Sequence, residues 1–86
     1  MKANICGKRI KLARIDRELD QVELAAALSV DYGIEISQTS ISEIARGTRG
    51  LRDFELGALC KVLEVSPEWL LFGDKGDLPV NRANRN

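Results

Sequence analysis

Signals that start and stop helices recur along this chain at intervals too short for anything but small helices, and this punctuation limits the fold more than any other feature. Asp20 and Glu23 form a capping-box pattern, the Asp20 carboxylate accepting from free amides of a helix that starts at Gln21. Gly33 suits the residue just past a helix end, where positive φ is needed and glycine takes it without strain. Ser37 is a good cap for a third helix, and Gly47 stops it. Ser66-Pro67-Glu68 opens a short last helix with a cap, a proline at the first helical position and an acid in the first turn, and Gly73 closes it.

Apolar residues between these marks recur at helical spacing, while strand-like alternation is limited to Ile34-Glu35-Ile36. Helix one, from Ile5 to about Arg17, carries Ile5, Cys6, Ile10 and Ala13 on one side, with Lys8, Lys11 and Arg14 between them. Leu24, Ala25 and Leu28 supply the buried stripe of helix two, which can reach Tyr32. Helix three, Gln38 to about Ala45, turns Ile41 and Ile44 inward and Gln38, Thr39, Ser42 and Glu43 outward. Helix four starts near Asp53, where Asp53 and Glu55 suit the positive end of the helix dipole, and its stripe is Leu56, Leu59, Cys60 and Leu63. The expected architecture is one all-α domain of five helices over residues 1–73, followed by a polar, frayed tail over 74–86. A chain of 86 residues has room for one core only.

Composition removes several classes of function. No apolar run approaches the roughly 20 residues needed to span a bilayer, and the start lacks a secretory pattern, so a cytoplasmic protein is expected. The absence of histidine takes away the commonest general base and metal ligand. Cys6 and Cys60 form no CxxC pair and are expected as free thiols, Cys60 and Trp69 as core. No nucleophile-base pair, phosphate loop or metal cluster is present, so no enzyme, metal or cofactor is expected. Thirteen basic residues cancel thirteen acidic ones, yet their positions are uneven. Lys2, Lys8, Arg9, Lys11, Arg14 and Arg17 crowd the start; Arg46, Arg49 and Arg52 form a second group; Gln21 to Ala45 contains neither Lys nor Arg. If the two groups meet in the fold, the molecule has one positive face.

The pair formed by helices two and three carries the functional signal. A short amphipathic helix opening on Gln21, then a helix whose first turn shows Gln38 and Thr39 with Ser42 and Glu43 one turn on, is the layout of a helix-turn-helix. A glutamine at the tip of a major-groove helix can donate one hydrogen bond to adenine and accept another. Small hydroxyl residues such as Thr39 and Ser40 let the helix approach base edges and can contact phosphates.

The chain resembles the helix-turn-helix domains of the lambdoid phage repressor and Cro family, also called the XRE family. The resemblance runs from about Gly7 to Gly73 through GKRIKLAR, LDQVELA, SQTSISEIARG and LCKVLEVSPEWLLFG, whose order and spacing together are specific. It implies a five-helix, lambda-repressor-like DNA-binding domain. By it, Gln21 donates to a phosphate and braces Gln38, Gln38 reads an adenine, Thr39 and Ser42 make neighbouring base contacts, and Glu43 holds the next reading position. Arg14, Ser37, Ser40, Arg46, Thr48 and Arg49 would hold the sugar-phosphate backbone, with Arg52 at the minor groove. Two departures carry expectations of their own. Ser29 to Ile36 exceeds the usual turn of roughly three or four residues, which implies a longer helix two plus a loop, with Ile34 or Ile36 packed beneath helix three. Glu43, an acid near phosphate, must accept from cytosine N4 or pair with an arginine such as Arg46, or it lowers affinity.

Trp69-Leu70-Leu71-Phe72 cannot all face one side of a helix, since consecutive residues point about 100° apart. Exposed aromatic and leucine surface here predicts a two-fold homodimer through helix five, with Trp69, Leu70, Leu71 and Phe72 at the interface and help from the end of helix four, reading a palindromic operator. The expected function is a sequence-specific transcription regulator acting on double-stranded DNA, more as a repressor than an activator. The rival is an antitoxin-like or scaffold module of the same fold, whose polar tail from Asp74 onward folds on a protein partner.

Overall fold

The computed structural model describes residues 2–73, which form five helices: α1 (Gly7–Asp16), α2 (Gln21–Tyr32), α3 (Gln38–Arg46), α4 (Asp53–Leu63) and α5 (Pro67–Phe72). There is no strand among the described residues. The expected tail, 74–86, lies outside them.

Side-chain caps set most of the boundaries. Asp20 Oδ1 accepts from the Glu23 amide at 2.7 Å while Glu23 Oε1 accepts from the Asp20 amide at 2.8 Å, which closes the capping box of α2. Ser37 Oγ accepts from the Ser40 amide and Ser66 Oγ from the Trp69 amide, starting α3 and α5. Gly33 and Gly47 end α2 and α3 at φ 66 and 80, in the left-handed region. Glu18 and Glu64 adopt the same region at φ 59 and 58 without being glycine, and Glu64 is tied there by an ion pair with Arg17.

The start of α1 differs from the periodicity, whereas the end of α2 agrees with it. α1 starts at Gly7, because Asn4 Oδ1 accepts from the amides of Cys6 and Gly7 at 2.8 and 2.7 Å and turns the preceding chain out of the helix. Ile5 therefore leaves the apolar stripe and is 63% exposed. α2 continues to Tyr32, so most of the long connection is helix and the link to α3 is Gly33–Ser37. Ile34 and Ile36 are half-buried against the core, as a preserved crossing requires.

Ile10, Ala13, Leu24, Leu28, Ile41, Ile44, Leu59 and Leu63 form the centre of the core, closed by Trp69 and Leu70. α1 and α3 touch closely enough that a β-carbon at Gly7 would collide with the carbonyl oxygens of Ile44 and Ala45. Burial at 1% and 0% leaves Trp69 and Leu70 no surface for a second subunit, which corrects the expectation that residues 69–72 all line an interface. Pro67 and Glu68 of α5 are exposed beside the Ser66 cap, Leu71 is half-buried and Phe72 is 72% exposed. Cys6 and Cys60 are free and buried, and burial pushes both thiols up from their ordinary value. No helix among the described residues is long and apolar enough to cross a membrane.

Candidate nucleic-acid interface

The exposed end of α3 presents a polar ridge. Gln38 and Thr39 are exposed in its first turn, and Gln38 Nε2 donates to Gln21 Oε1 of α2 at 3.4 Å. This contact holds one amide with another, and so leaves Gln38 with unused donor and acceptor capacity. Ser37 and Ser40 face each other across the cap, their hydroxyls 3.2 Å apart, so both already serve the helix start. Ser42, half-buried one turn on, accepts from Arg46 Nη1 at 2.6 Å. Glu43 is half-buried, and Arg46 therefore has a hydroxyl partner rather than the carboxylate partner suggested for it. Glu43 adds a minor attraction to Arg49, well behind that of Glu55. The Glu43 carbonyl also accepts from the amide and hydroxyl of Thr48, which fastens the end of α3.

The basic groups divide on folding. Lys2 Nζ donates to the Arg46 carbonyl at 3.3 Å, and Lys2 and Lys8 line a cleft with Ala45 and Gly47. The start of the chain therefore does meet the end of α3, and Lys2, Lys8 and Arg46 are exposed there. The other early arginines are internal fasteners. Arg9 Nη1 reaches the carbonyls of Leu70 and Leu71, Arg14 Nη1 closes the α1–α2 turn on the Leu19 carbonyl at 2.7 Å, and Arg17 pairs with Glu64. Arg52 is exposed, its guanidinium 5.9 Å from the centre of the Phe54 ring.

Arg49 differs most from the role given to it by resemblance. Its Nη1 and Nη2 donate to Glu55 Oε1 and Oε2 at 3.1 and 3.0 Å, a bidentate pair. Glu55 is 5% exposed, and its carboxyl lies below the usual carboxylate range, first because Arg49 hydrogen-bonds the charged form and then through the Arg52 amide, against a desolvation penalty. The charge of Arg49 is thus matched by a buried carboxylate although its own side chain is 29% exposed, so its guanidinium is not an open cation for phosphate. Glu55 and Asn4 were missed in the sequence. Glu55 reads there only as an acid in a first helical turn, and nothing in its spacing shows burial. Asn4 does carry a signal, since an asparagine side chain ahead of a helix commonly accepts from backbone amides two and three residues on and forms a turn.

Comparison with known proteins adds a second line of observation. The sequence profile of the helix-turn-helix family matches residues 10–70. Over 74 residues the chain is 40% identical to the HTH-type transcriptional regulator DicA of Escherichia coli (strain K12), covering 86% of this chain and 50% of DicA. The chain thus spans about half the length of that curated relative. Among solved structures, the P22 c2 repressor protein, crystallised in complex with synthetic operator 9T in the presence of Tl+, matches with a TM-score of 0.64 and 31% identity, over 83% of this chain and 98% of that one.

Proposed function

The chain belongs to the helix-turn-helix family, and from that premise we propose that it is a sequence-specific DNA-binding transcription regulator, acting as a repressor by occupying promoter DNA. The observation that carries this reading is the Gln38 side chain, exposed at the tip of α3 and steadied by Gln21 at 3.4 Å. An amide held there needs no large reordering to give adenine its donor and acceptor. Thr39 beside it is small, and Lys2, Lys8 and Arg46 supply positive charge at the far end of the helix for the backbone. Arg52 is the further candidate for a backbone or minor-groove contact.

Regulators of this geometry read both halves of a two-fold operator, and we extend the proposal to a homodimer with recognition helices about 34 Å apart. Support comes from exposed Phe72, next to an apolar groove of about 390 Å³ lined by Ile5, Leu51, Leu56 and Leu71. A two-fold contact would bring the Phe72 of each copy to that face of the other.

The test is selection of binding sites from random duplex DNA, followed by gel shift of the selected duplex with Gln38→Ala as the control. The reading expects an enriched palindrome for which the variant's preference is reduced at the base pair that Gln38 reads. Recovery of no preferred sequence would overturn it. For the dimer, analytical ultracentrifugation of the chain should show self-association that Phe72→Glu reduces; a strict monomer at high micromolar concentration would remove that part.

A further inference from the structure

The loop between α3 and α4 is fastened from two sides, and the fastening depends on residues outside the reading ridge. The Ala3 amide donates to the Gly47 carbonyl at 2.8 Å and the Thr48 amide to the Glu43 carbonyl at 2.9 Å. Asn4 Nδ2 donates to the carbonyls of Arg49 at 2.7 Å and Ile44 at 3.2 Å. From the other side, Arg49 Nη1 donates to the Gly50 carbonyl at 3.0 Å, and Glu55 accepts from the Arg52 amide at 3.0 Å besides holding the guanidinium. Surface connections ordinarily leave such groups to water and move more than the elements they join. Among the described residues Glu55 is also the one charged side chain that is buried. A buried ion pair gives little net stability compared with apolar residues of the same shape, and its more distinctive use is to dictate one geometry.

We propose that Glu55, acting through Arg49, is a positioning residue that fixes the 47–52 loop against the end of α3 and so sets where Thr48 and Arg52 meet a nucleic-acid backbone. The inference rests on the DNA-binding reading above. Phosphate contacts determine how the reading helix is registered on the duplex although they carry no sequence information. A loosened loop therefore costs selectivity rather than general affinity. Simple charge counting predicts the opposite, because removing the carboxylate liberates a guanidinium next to the DNA face and should only strengthen binding.

The full chain is compared with Glu55→Gln and with the double variant Arg49→Met, Glu55→Leu, which keeps apolar volume in place of the pair. Each is measured on the duplex selected by the wild type and on a scrambled duplex, alongside thermal unfolding. Both variants should remain folded and lose at least about tenfold in the ratio of selected to scrambled affinity, the loss expected for one misaligned base contact. Glu55→Gln should also bind the scrambled duplex as well as or better than the wild type, with a logarithmic salt slope steeper by about 0.9 per subunit from the freed guanidinium. Without DNA, amide exchange should quicken in Glu55→Gln at Ala3 and Thr48, whose acceptors are not Glu55, as the loop loosens as a unit. A selectivity ratio within twofold of wild type in both folded variants, or faster exchange confined to the Arg52 amide, overturns the positioning role alone. Failure of the wild type to prefer any duplex overturns the DNA reading and this role with it.

Discussion

Two regions that touch at the end of α3 are held by different kinds of bond. Along the ridge, Gln21, Gln38, Ser42 and Arg46 are linked by single contacts to neutral acceptors, at 3.4 and 2.6 Å, and lie open or half-open to solvent. Across the 47–52 loop, a desolvated carboxylate takes two guanidinium donors and a backbone amide. The neutral Gln38–Gln21 bond at a wet surface differs little in free energy from the bonds water would make, about 0.5–1.5 kcal/mol. The Arg46 guanidinium, though charged, is solvated and can trade Ser42 for water, so both groups can exchange partners when a ligand arrives. Charged bonds around a buried ion cannot exchange without exposing that ion. Arg46 and Arg49, three positions apart, fall on opposite sides of this divide. The first is available to a partner and the second is structural.

The largest effect that would break this contrast is in stability. Arg49→Ala leaves Glu55 buried without its counter-ion and should destabilise the domain by about 3–5 kcal/mol. Small domains have roughly 5–15 kcal/mol to lose, so the variant should show a clearly lower urea midpoint. A loss under about 1 kcal/mol would mean that Glu55 is rehydrated easily and that the two regions are alike. The same reasoning makes Arg49→Ala a poor probe of DNA contact, since lost binding would report unfolding.

Gln38→Ala is the reciprocal case. It should leave urea stability within about 0.5 kcal/mol of wild type, because an exposed glutamine contributes little to folding. Discrimination at one base pair should fall by about 1–3 kcal/mol, read as the ratio of affinities for the selected duplex and one changed at that position. Equal losses of stability and discrimination would erase the distinction between a reading residue and a fastening one.

Much of the ridge was legible in the sequence because its determinants are local. The capping box at Asp20 and Glu23, the glycine stops at Gly33 and Gly47 and the Ser37 cap each act within a few residues. Together they place Gln21 and Gln38 on adjoining helix starts. The fastening was not legible because it joins Asn4 to Ile44 and Arg49 across 40 and 45 residues, and a charge such as Glu55 reads as exposed unless its surroundings are known. The run from Trp69 to Phe72 shows the intermediate case. Helical geometry required that the four residues divide between core and surface, but only packing shows that Trp69 and Leu70 are the buried pair. The basic cluster at the start misled in the same way, since Arg9, Arg14 and Arg17 are engaged by carbonyls and a carboxylate within the fold.

Asp20→Ala should fall between the two regions. It removes the acceptor for the Glu23 amide, an exposed cap worth about 1 kcal/mol, and loosens the turn that carries Gln21. Stability should drop by that modest amount in urea titration. Discrimination should decline too, though less than in Gln38→Ala, because the reading amide itself remains. A variant with full stability would show that Ser37 and the core alone hold the foot of the ridge.

The smallest effect depends on pH and isolates the loop from the ridge. Glu55 ionises below the ordinary glutamate value in the folded chain because Arg49 and the Arg52 amide favour its charged form. The resulting stabilisation is fully present above the unfolded pKa, about 4.3, and is lost as pH falls through the folded value. Wild type should therefore exceed Glu55→Gln in urea stability by a constant amount from pH 7 to about 5, and the gap should narrow below about pH 4. Gln38 has no proton to gain over this range, so the stability difference between wild type and Gln38→Ala should stay flat through the same titration. If the Glu55→Gln gap is equally flat down to pH 3, the carboxylate is not held in its charged form by the loop, and the difference between the two regions is one of packing rather than of charge.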